Sequence, residues 1–337
     1  MTDDNVEAIL ITSETTEWPV EAIKPNRYRV NVISIDGDCS HLGRLWIKDQ
    51  SDVRIIGKNN AIVESFIWTR CDKMLIKNIK ITKGSQLSNS PNSSVFNCIF
   101  SSQSSQPLRI RYGSNNVHVD QCLFSRTSPV PDHDIVAIQL SDRENLNVGI
   151  TNCSIFNYSD GIQTTWRSGD VSGLSAGLLI EGCVIGLDKN IRHALGSENA
   201  LDFKSGGTPD NPIIVRNCYL FGSRQTAENS GYSITNHVRS QYVLIEDTTI
   251  SDSHGGIFVP EMRDDDKKPL PSHVYLRRVN FIDIHKSTAP DPKRTGYAMA
   301  GPNAVTFENV RYITCDNRWE RLEELIRGLT DMEMTND

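Results

Sequence analysis

The pattern that decides the fold has its clearest form at residues 148–155, which read VGITNCSI. Branched apolar residues alternate there with small or polar ones, and an Asn-Cys pair stands in the middle. The phrase recurs around five cysteines at steps of 24, 31, 30 and 35 residues, namely Cys98, Cys122, Cys153, Cys183 and Cys218. It persists without cysteine at residues 74–81, 244–250 and 276–281.

A sequence period of this size indicates stacked supersecondary units, each too small to bury a core alone. The units are rich in Val, Ile and Thr and lack helical periodicity. The regular leucine framework of leucine-rich repeats and the longer period of propeller blades are both absent. The sequence therefore predicts an all-β, single-chain, right-handed parallel β-helix. Its cysteines stack in one column as buried, reduced thiols.

A second short strand precedes each phrase by some 15 to 20 residues, and together these strands predict a further ladder. They lie at 66–70, 108–112, 136–140, 161–166, 200–204, 232–237 and 256–259. Strand 200–204 is the fifth of this set. The polar stretches 86–93, 262–271 and 287–295 are predicted to be loops between coils.

The two ends of a solenoid need covers, because an open sheet end invites edge pairing. Residues 1–40 are predicted to form an N-terminal cap, and residues 41–312 the parallel β-helix. Residues 313–337 are predicted to form a C-terminal capping helix and tail. In that segment one helical stripe collects the apolar side chains Trp319, Leu322, Leu325, Ile326 and Leu329.

Bulk composition narrows the function classes. The chain has 337 residues, 38% hydrophobic content and a formal net charge of −7, so general attraction to nucleic acid or to an anionic membrane is not expected. No apolar run approaches the roughly 18 residues of a membrane span. The acidic start at residues 1–5 lacks the features of a secretory signal, which predicts a cytoplasmic or virion-associated protein. The sequence leaves the oligomeric state open.

The candidate site centres on residues 197–207, which read SENALDFKSGG. Leu201 and Phe203 point one way along the strand, and Asp202 and Lys204 the other, roughly 7 Å apart. Stacking the second strands predicts an outward polar shelf that suits an extended carbohydrate. Its members are Trp68, Arg70, Arg109, Arg111, Gln139, Gln163, Thr165, Asp202, Lys204, Ser233, Thr235, His237 and Phe258. The predicted substrate-binding residues are Arg109, Arg111, Gln163, Thr165, Trp166 and Thr235.

The stacked Asn-Cys coils resemble the pectate-lyase-like β-helix superfamily across roughly residues 45–310. Within it, the strand around Lys204 is similar to chondroitinase B and alginate-lyase-like enzymes, in which a Glu-rich strand followed by Lys-Ser supplies calcium ligands and a lysine base. The resemblance implies Glu198 and Asp202 as ligands, Lys204 as base and Arg224 as a second catalytic cation. The same strand resembles polygalacturonases through Lys204-Ser205-Gly206, with their aspartate pair replaced by Glu198-Asn199.

β-Elimination of a uronate needs a base, and an ordinary lysine with a pKa of about 10.4 is neutral in only about one molecule in 2,500 at pH 7. The pKa of Lys204 must therefore fall, yet Asp202 on the same face favours the ammonium. A Ca²⁺ held by Asp202 with Glu198 or Asp160 would cancel that effect and bind the substrate carboxylate. Without it, Asp202 and Lys204 form a plain surface ion pair.

Two further hypotheses remain open. Asp160 and Glu198 precede successive rungs in the same way, so they form the better carboxyl pair for hydrolysis. His237 is the histidine chosen for proton transfer, with a structural role as its alternative. The sequence favours a lyase on an acidic polysaccharide. The alternatives are an inverting glycoside hydrolase and a non-enzymatic β-helix that binds glycans or builds a virion or cell surface.

Overall fold

The computed structural model describes residues 8–20, 31–103, 106–127, 135–142, 144–165, 175–187, 197–224, 231–236, 242–258, 273–284 and 305–313. Thirty strands lie in this part of the chain, and they pair in parallel with strands one coil away. They form three ladders, with one strand of each ladder in a typical coil. The predicted all-β parallel solenoid is confirmed, and its sheets are open rather than closed on themselves.

Ladder one carries the first half of the repeated phrase. Its strands are β1 (Ala8–Thr12), β2 (Asn31–Asp38), β4 (Val53–Val63), β6 (Leu75–Lys77), β9 (Ser94–Phe96), β12 (His118–Asp120), β15 (Gly149–Thr151), β18 (Leu179–Glu181), β21 (Ile213–Arg216), β24 (Tyr242–Glu246), β27 (His273–Arg277) and β29 (Val305–Glu308).

Ladder two carries the second half of the phrase and begins on the C-terminal part of β4. Its remaining strands are β7 (Lys80–Ile81), β10 (Ile99–Phe100), β13 (Leu123–Ser125), β16 (Ser154–Phe156), β19 (Val184–Gly186), β22 (Tyr219–Phe221), β25 (Thr249–Ser251), β28 (Asn280–Ile282) and β30 (Arg311–Ile313).

Ladder three is a sheet of nine strands. They are β3 (Arg44–Lys48), β5 (Ser65–Thr69), β8 (Ser85–Ser88), β11 (Leu108–Arg111), β14 (Val136–Ser141), β17 (Asp160–Thr164), β20 (Asn199–Phe203), β23 (Tyr232–Asn236) and β26 (Gly255–Phe258). All seven predicted second strands are confirmed. The strand that carries Asp202 is the seventh rung rather than the fifth, because β3 and β8 precede it unpredicted.

The Asn-Cys pair is the corner between ladders one and two. The residue before each cysteine has a left-handed backbone, with φ of 48° at Asn97, 52° at Asn152 and 54° at Asn217. Asparagine tolerates this conformation better than most side chains do. The turn then directs the following cysteine inward. The Cys153 Sγ donates to the Val119 carbonyl of the preceding coil at 3.6 Å.

The core runs along the solenoid axis. The seven described cysteines are buried and free, which agrees with the predicted column of thiols. Aromatic side chains continue the stacking, since the Phe100 and Phe124 rings lie 4.4 Å apart and nearly parallel. Outside the core, charges alternate along ladder one, where Arg216 donates to both carboxylate oxygens of Glu181 at 2.8 and 2.9 Å. Such cross-strand pairs help to fix the register.

The described residues include part of the predicted N-terminal cap at residues 1–40. Strands β1 and β2 pair in parallel with the sheet, so the ladder begins inside the segment for which a cap was predicted. A short 3₁₀ turn spans Ser40–Leu42.

The predicted C-terminal helix lies outside the described residues, as do the predicted loops 262–271 and 287–295. Stretch 86–93 was predicted wrongly to be a loop, because its first residues belong to β8. Among the described residues, no helix is long and apolar enough to cross a membrane.

Candidate functional site

A single column of side chains runs along the outer face of ladder three, and we call it the outer column. Consecutive members are paired in register, one rung apart. From the N-terminal end they are Trp46, Ile67, Gln86, Arg109, Gln139, Gln163, Asp202, Thr235 and Phe258. The sequence predicted the last six of these nine, and their order, correctly.

Two predicted members of the shelf face inward. Trp68 is fully buried and packs 4.8 Å from the Phe66 ring, while Ile67 takes the outward place in β5. A bulky aromatic pair gains more by filling the core than by facing water, so the register of β5 places both rings inside. Ser233 is also fully buried, and its hydroxyl lies 2.8 Å from the Ser253 hydroxyl.

Gln163 joins two aspartates on the outer column. Its Nε2 donates to Asp202 Oδ2 at 2.9 Å and to Asp160 Oδ2 at 3.2 Å, and its Oε1 accepts from Gln139 Nε2 at 2.8 Å. The exposed fractions of Asp160, Asp202 and Gln163 are only 1%, 2% and 3%. The structure therefore brings together two predicted metal ligands and one predicted substrate-binding residue in a water-poor cluster.

The neighbouring rung completes this cluster. Asn199 pairs in register with Asp160, donates from Nδ2 to Asp160 Oδ1 at 3.1 Å and accepts from Thr235 Oγ1 at 2.6 Å. Asp160 is the first residue of β17, and all five residues of that strand are buried. A Cβ at position 161 would lie 2.5 Å from the Ala200 carbonyl oxygen, so only glycine fits.

Burial is the largest influence on the pKa of Asp160. Loss of water, followed by the charges of Asp202 and Glu198, raises the pKa of Asp160 well above its usual value, although the Asn199 hydrogen bond opposes this. Lys204 Nζ lies 3.0 Å from Asp202 Oδ2, and 30% of the lysine side chain is exposed against 3% of the aspartate. The site thus combines a buried carboxyl at Asp160, whose pKa is raised, with an ion pair that opens to solvent on the lysine side.

The three predicted calcium ligands do not form a cation site of the usual kind. Within the described ranges, no group of three or more His, Cys, Asp or Glu side chains is arranged to hold a metal. The oxygens of Asp160 face the N–H groups of Gln163 and Asn199, and a cation would repel those donors. Calcium binding by Glu198, Asp202 and Asp160 stays a prediction.

The two arginines among the predicted substrate-binding residues differ. Arg111 is engaged with Asp142 and Gln86, and its guanidinium stacks over Tyr112. Arg109 is half-buried, and its Nε has no hydrogen-bond partner among the described residues. Burial and the charge of Arg111 lower the pKa of Arg109. Arg111 is therefore held by neighbouring side chains, whereas Arg109 Nε is buried without a partner among the described residues.

Of the remaining predicted site residues, those that the structure describes lie apart from the cluster or at its edge. Arg224 lies beside the start of β20, where its backbone N–H donates to Ser197 at 3.0 Å, but its guanidinium binds Asp252. Glu198 is half-buried and accepts from the Ser159 hydroxyl at 3.4 Å. Thr165 donates to the Leu140 carbonyl at 3.3 Å. Trp166 and His237 lie outside the described residues.

The sequence interpretation missed Asn199 as the partner of Asp160 and placed Glu198 there instead. The register is one residue further along, because Asp160 is the first residue of β17 and pairs with the first residue of β20. An alignment of Asp160-Gly161-Ile162-Gln163 with residues 199–202 would have found this pairing, since both segments end in a polar residue of the outer column.

Comparisons with known proteins agree on the fold. No family model matches the chain, and no curated protein matches its sequence. Among solved structures, pectate lyase Pel9A matches with a TM-score of 0.58 at 12% identity, over 90% of this chain and 78% of that one. The chain has the pectate-lyase-like parallel β-helix fold.

A second structure with this pectate-lyase-like fold is a mannuronic acid specific polysaccharide family 6 lyase from human gut microbiota. It matches with a TM-score of 0.53 at 12% identity, over 96% of this chain and 94% of that one. Identities this low establish the shared pectate-lyase-like architecture and leave the chemistry to the residues of this chain.

Proposed function

We propose that this protein is a lyase that cleaves an acidic polysaccharide by β-elimination, with Lys204 as the base. The observation that carries the proposal is the 3.0 Å contact between Lys204 Nζ and Asp202 Oδ2 on the outer column. The contact provides a direct route by which Lys204 loses a proton. The ion pair has one buried and one partly exposed member, so a glycan lying on the shelf reaches the amine first.

An ammonium is no base, and the charge of Asp202 stabilises it in the free protein. A bound uronate changes this balance, because its carboxylate adds a negative charge beside Asp202 while the sugar displaces water. Two like charges in a dry site favour protonation of one of them. The proton then moves from Lys204 to Asp202 along their hydrogen bond, which leaves a neutral amine and a neutral carboxylic acid.

The neutral Lys204 amine takes the proton next to the substrate carboxylate, and the electron pair of that C–H bond forms the new C=C bond. The glycosidic C–O bond breaks, and the leaving oxygen takes a proton from the Lys204 ammonium formed in this way. The buried Asp202 carboxylic acid then returns its proton to the Lys204 amine. Lys204 ends as an ammonium and Asp202 as a carboxylate, which restores the ion pair. Gln163 holds Asp202 through its amide, and Asp160 in turn holds Gln163.

Arg109 supports an acidic substrate. It lies three rungs from Asp202 along the outer column, which is about 14 Å at the usual strand spacing. Its Nε is unpartnered among the described residues, and a guanidinium suits a carboxylate. A second uronate of the same chain would fit there. The two lyases with this fold, one for pectate and one specific for mannuronic acid, agree with such a substrate.

The test uses a panel of uronate polymers and follows the ultraviolet absorbance of the unsaturated product. Wild-type protein is expected to form that product, and Lys204→Met to lose at least about a hundredfold of the rate. Lys83→Met is the matched control, because Lys83 forms an exposed ion pair with Glu64 at 3.2 Å. Product formation by Lys204→Met at the control's rate refutes the role of Lys204, and absence of cleavage with retained binding would indicate a glycan-binding scaffold instead.

Hydrolysis is the second candidate, and Asp160 favours it. Burial raises the pKa of Asp160, which favours the acid form of that carboxyl, and Asp202 Oδ2 lies 3.0 Å from Lys204 Nζ. Both carboxyl groups accept from one amide nitrogen, so those two oxygens lie no more than about 6 Å apart, which is close to the separation of carboxyl pairs in glycosidases. Release of reducing ends without the unsaturated product would select this candidate over elimination.

A further inference from the structure

A buried arginine lies at the corner between ladders two and three, apart from the outer column. Arg126 follows β13, and its backbone N–H donates to the Phe156 carbonyl of the next coil at 3.3 Å. Asn157 Nδ2 donates back to the Arg126 carbonyl at 2.9 Å. These bonds place Arg126 against Tyr158, whose ring centroid lies 5.9 Å from the guanidinium carbon.

The polar atoms of this pair are withdrawn from water without compensation. Arg126 is 3% exposed and Tyr158 is 2% exposed. Within the described part of the chain, Arg126 Nε, Arg126 Nη1 and the Tyr158 hydroxyl have no hydrogen-bond partner. Native proteins rarely leave three such atoms together, because each buried donor without a partner costs free energy and a buried charge costs more.

Among the residues that the structure describes, no carboxylate forms an ion pair with Arg126. Burial lowers the pKa of the Arg126 guanidinium, which lies over the Tyr158 ring. The aromatic face offers a cation–π contact, which offsets a part of the lost hydration. Water molecules would satisfy the N–H groups but not the positive charge.

We propose that Arg126 and Tyr158 form a binding site for one small oxyanion, of the size of a carboxylate, sulfate or phosphate group. A guanidinium and a phenol both donate hydrogen bonds, and an oxyanion supplies acceptors together with the missing negative charge. The site is distinct from the proposed reaction centre. It adjoins that centre in the chain, because Tyr158 precedes Asp160 by two residues and its carbonyl accepts from the Ser197 hydroxyl at 3.0 Å.

The test measures thermal unfolding and calorimetric binding of the full chain with sodium sulfate, phosphate or acetate, each against chloride at constant ionic strength. We expect a saturable rise in Tm with at least one oxyanion, because a ligand that binds only the folded state stabilises it. The ranking of the three anions identifies the preferred group. No saturable response to any of them would overturn the proposal.

Variants locate the site. Arg126→Met keeps the apolar stem and removes the charge, and it should weaken oxyanion binding by at least roughly tenfold. Tyr158→Phe removes only the hydroxyl and should weaken it by roughly threefold to tenfold. Arg216→Met, which removes an exposed arginine from ladder one, should leave the response unchanged. If Arg126→Met does not fold, Tyr158→Phe decides: wild-type affinity in that variant would refute the site.

Discussion

The energetic coupling between Lys204 and Asp202 tests the premise that their ion pair lies in a water-poor place. At 3.0 Å, two unit charges attract by about 1.4 kcal/mol in bulk water and about 5.5 kcal/mol at an effective dielectric constant of 20. The 30% exposure of Lys204 allows solvent to screen the pair, so the lower part of this range applies. We expect a coupling free energy of about 2 kcal/mol.

The assay is a double-mutant cycle in urea, with Lys204→Met, Asp202→Asn and the double variant. The matched control is the cycle of Lys83→Met and Glu64→Gln, whose side chains are 65% and 26% exposed at a similar separation of 3.2 Å. That pair should couple by under about 0.5 kcal/mol. Equal coupling in the two cycles would refute the argument, because Asp202 would then be as well solvated as Glu64 and the proton relay would lose its basis.

Three further predictions concern the scaffold around the site. The folded-state pKa of Asp160 is raised above its ordinary value of 3.8, so the wild type should lose stability as pH rises above about 4 until the folded-state pKa is passed. Asp160→Asn should lack this slope. Parallel curves of unfolding free energy against pH for the two proteins would contradict the prediction. Gly161→Ala should lower the free energy of unfolding in urea by about 2–4 kcal/mol, because its Cβ would lie 2.4 Å from Ile185 Cγ2. The control Gly37→Ala, at a φ of 76° with no atom within 4 Å of the new Cβ, should lower it by about 1 kcal/mol. Similar losses in the two variants would show that the contact with Ile185 does not matter. Asn217 has a left-handed φ of 54°, so Asn217→Gly should keep wild-type stability within about 0.5 kcal/mol, whereas Asn217→Val should lose about 1–2 kcal/mol. Equal Tm values for the two variants would exclude a left-handed corner at this position.

In the proposed reaction, the polar residues of β17 and those on or next to β20 have different roles. Asp160 accepts a hydrogen bond from Gln163, Gln163 donates another to Asp202, and Asp202 forms an ion pair with Lys204, along which we propose that the proton moves. The first two contacts are buried and fix positions, whereas the last reaches solvent and substrate. A scaffold of stacked rungs suits this arrangement, because each group is held by backbone pairing on both sides.

Some features of the site follow from local sequence and others do not. Period-two alternation placed Asp202 and Lys204 on one face, and the structure confirms their contact at 3.0 Å. The same alternation failed for Trp68. Its bulky ring fills the core better than the Ile67 side chain does, so Trp68 points inward and Ile67 outward. Position before the rung suggested Glu198 as the neighbour of Asp160, whereas the structure pairs Asp160 with Asn199. Asn199 lies 39 residues from its partner Asp160 in the chain, and the intervening loop has no fixed length, so local sequence does not reveal that the two residues pair.

The sequence by itself determined the repeated coil. Each Asn-Cys corner is a local event, in which a left-handed residue turns the chain and a small thiol enters the core, and its regular recurrence requires stacking. Only the tertiary structure decided which side chains of successive coils meet. Register between rungs is set by packing across the whole core and by coils of unequal length, and a shift of one residue would have paired Asp160 with Glu198 in place of Asn199.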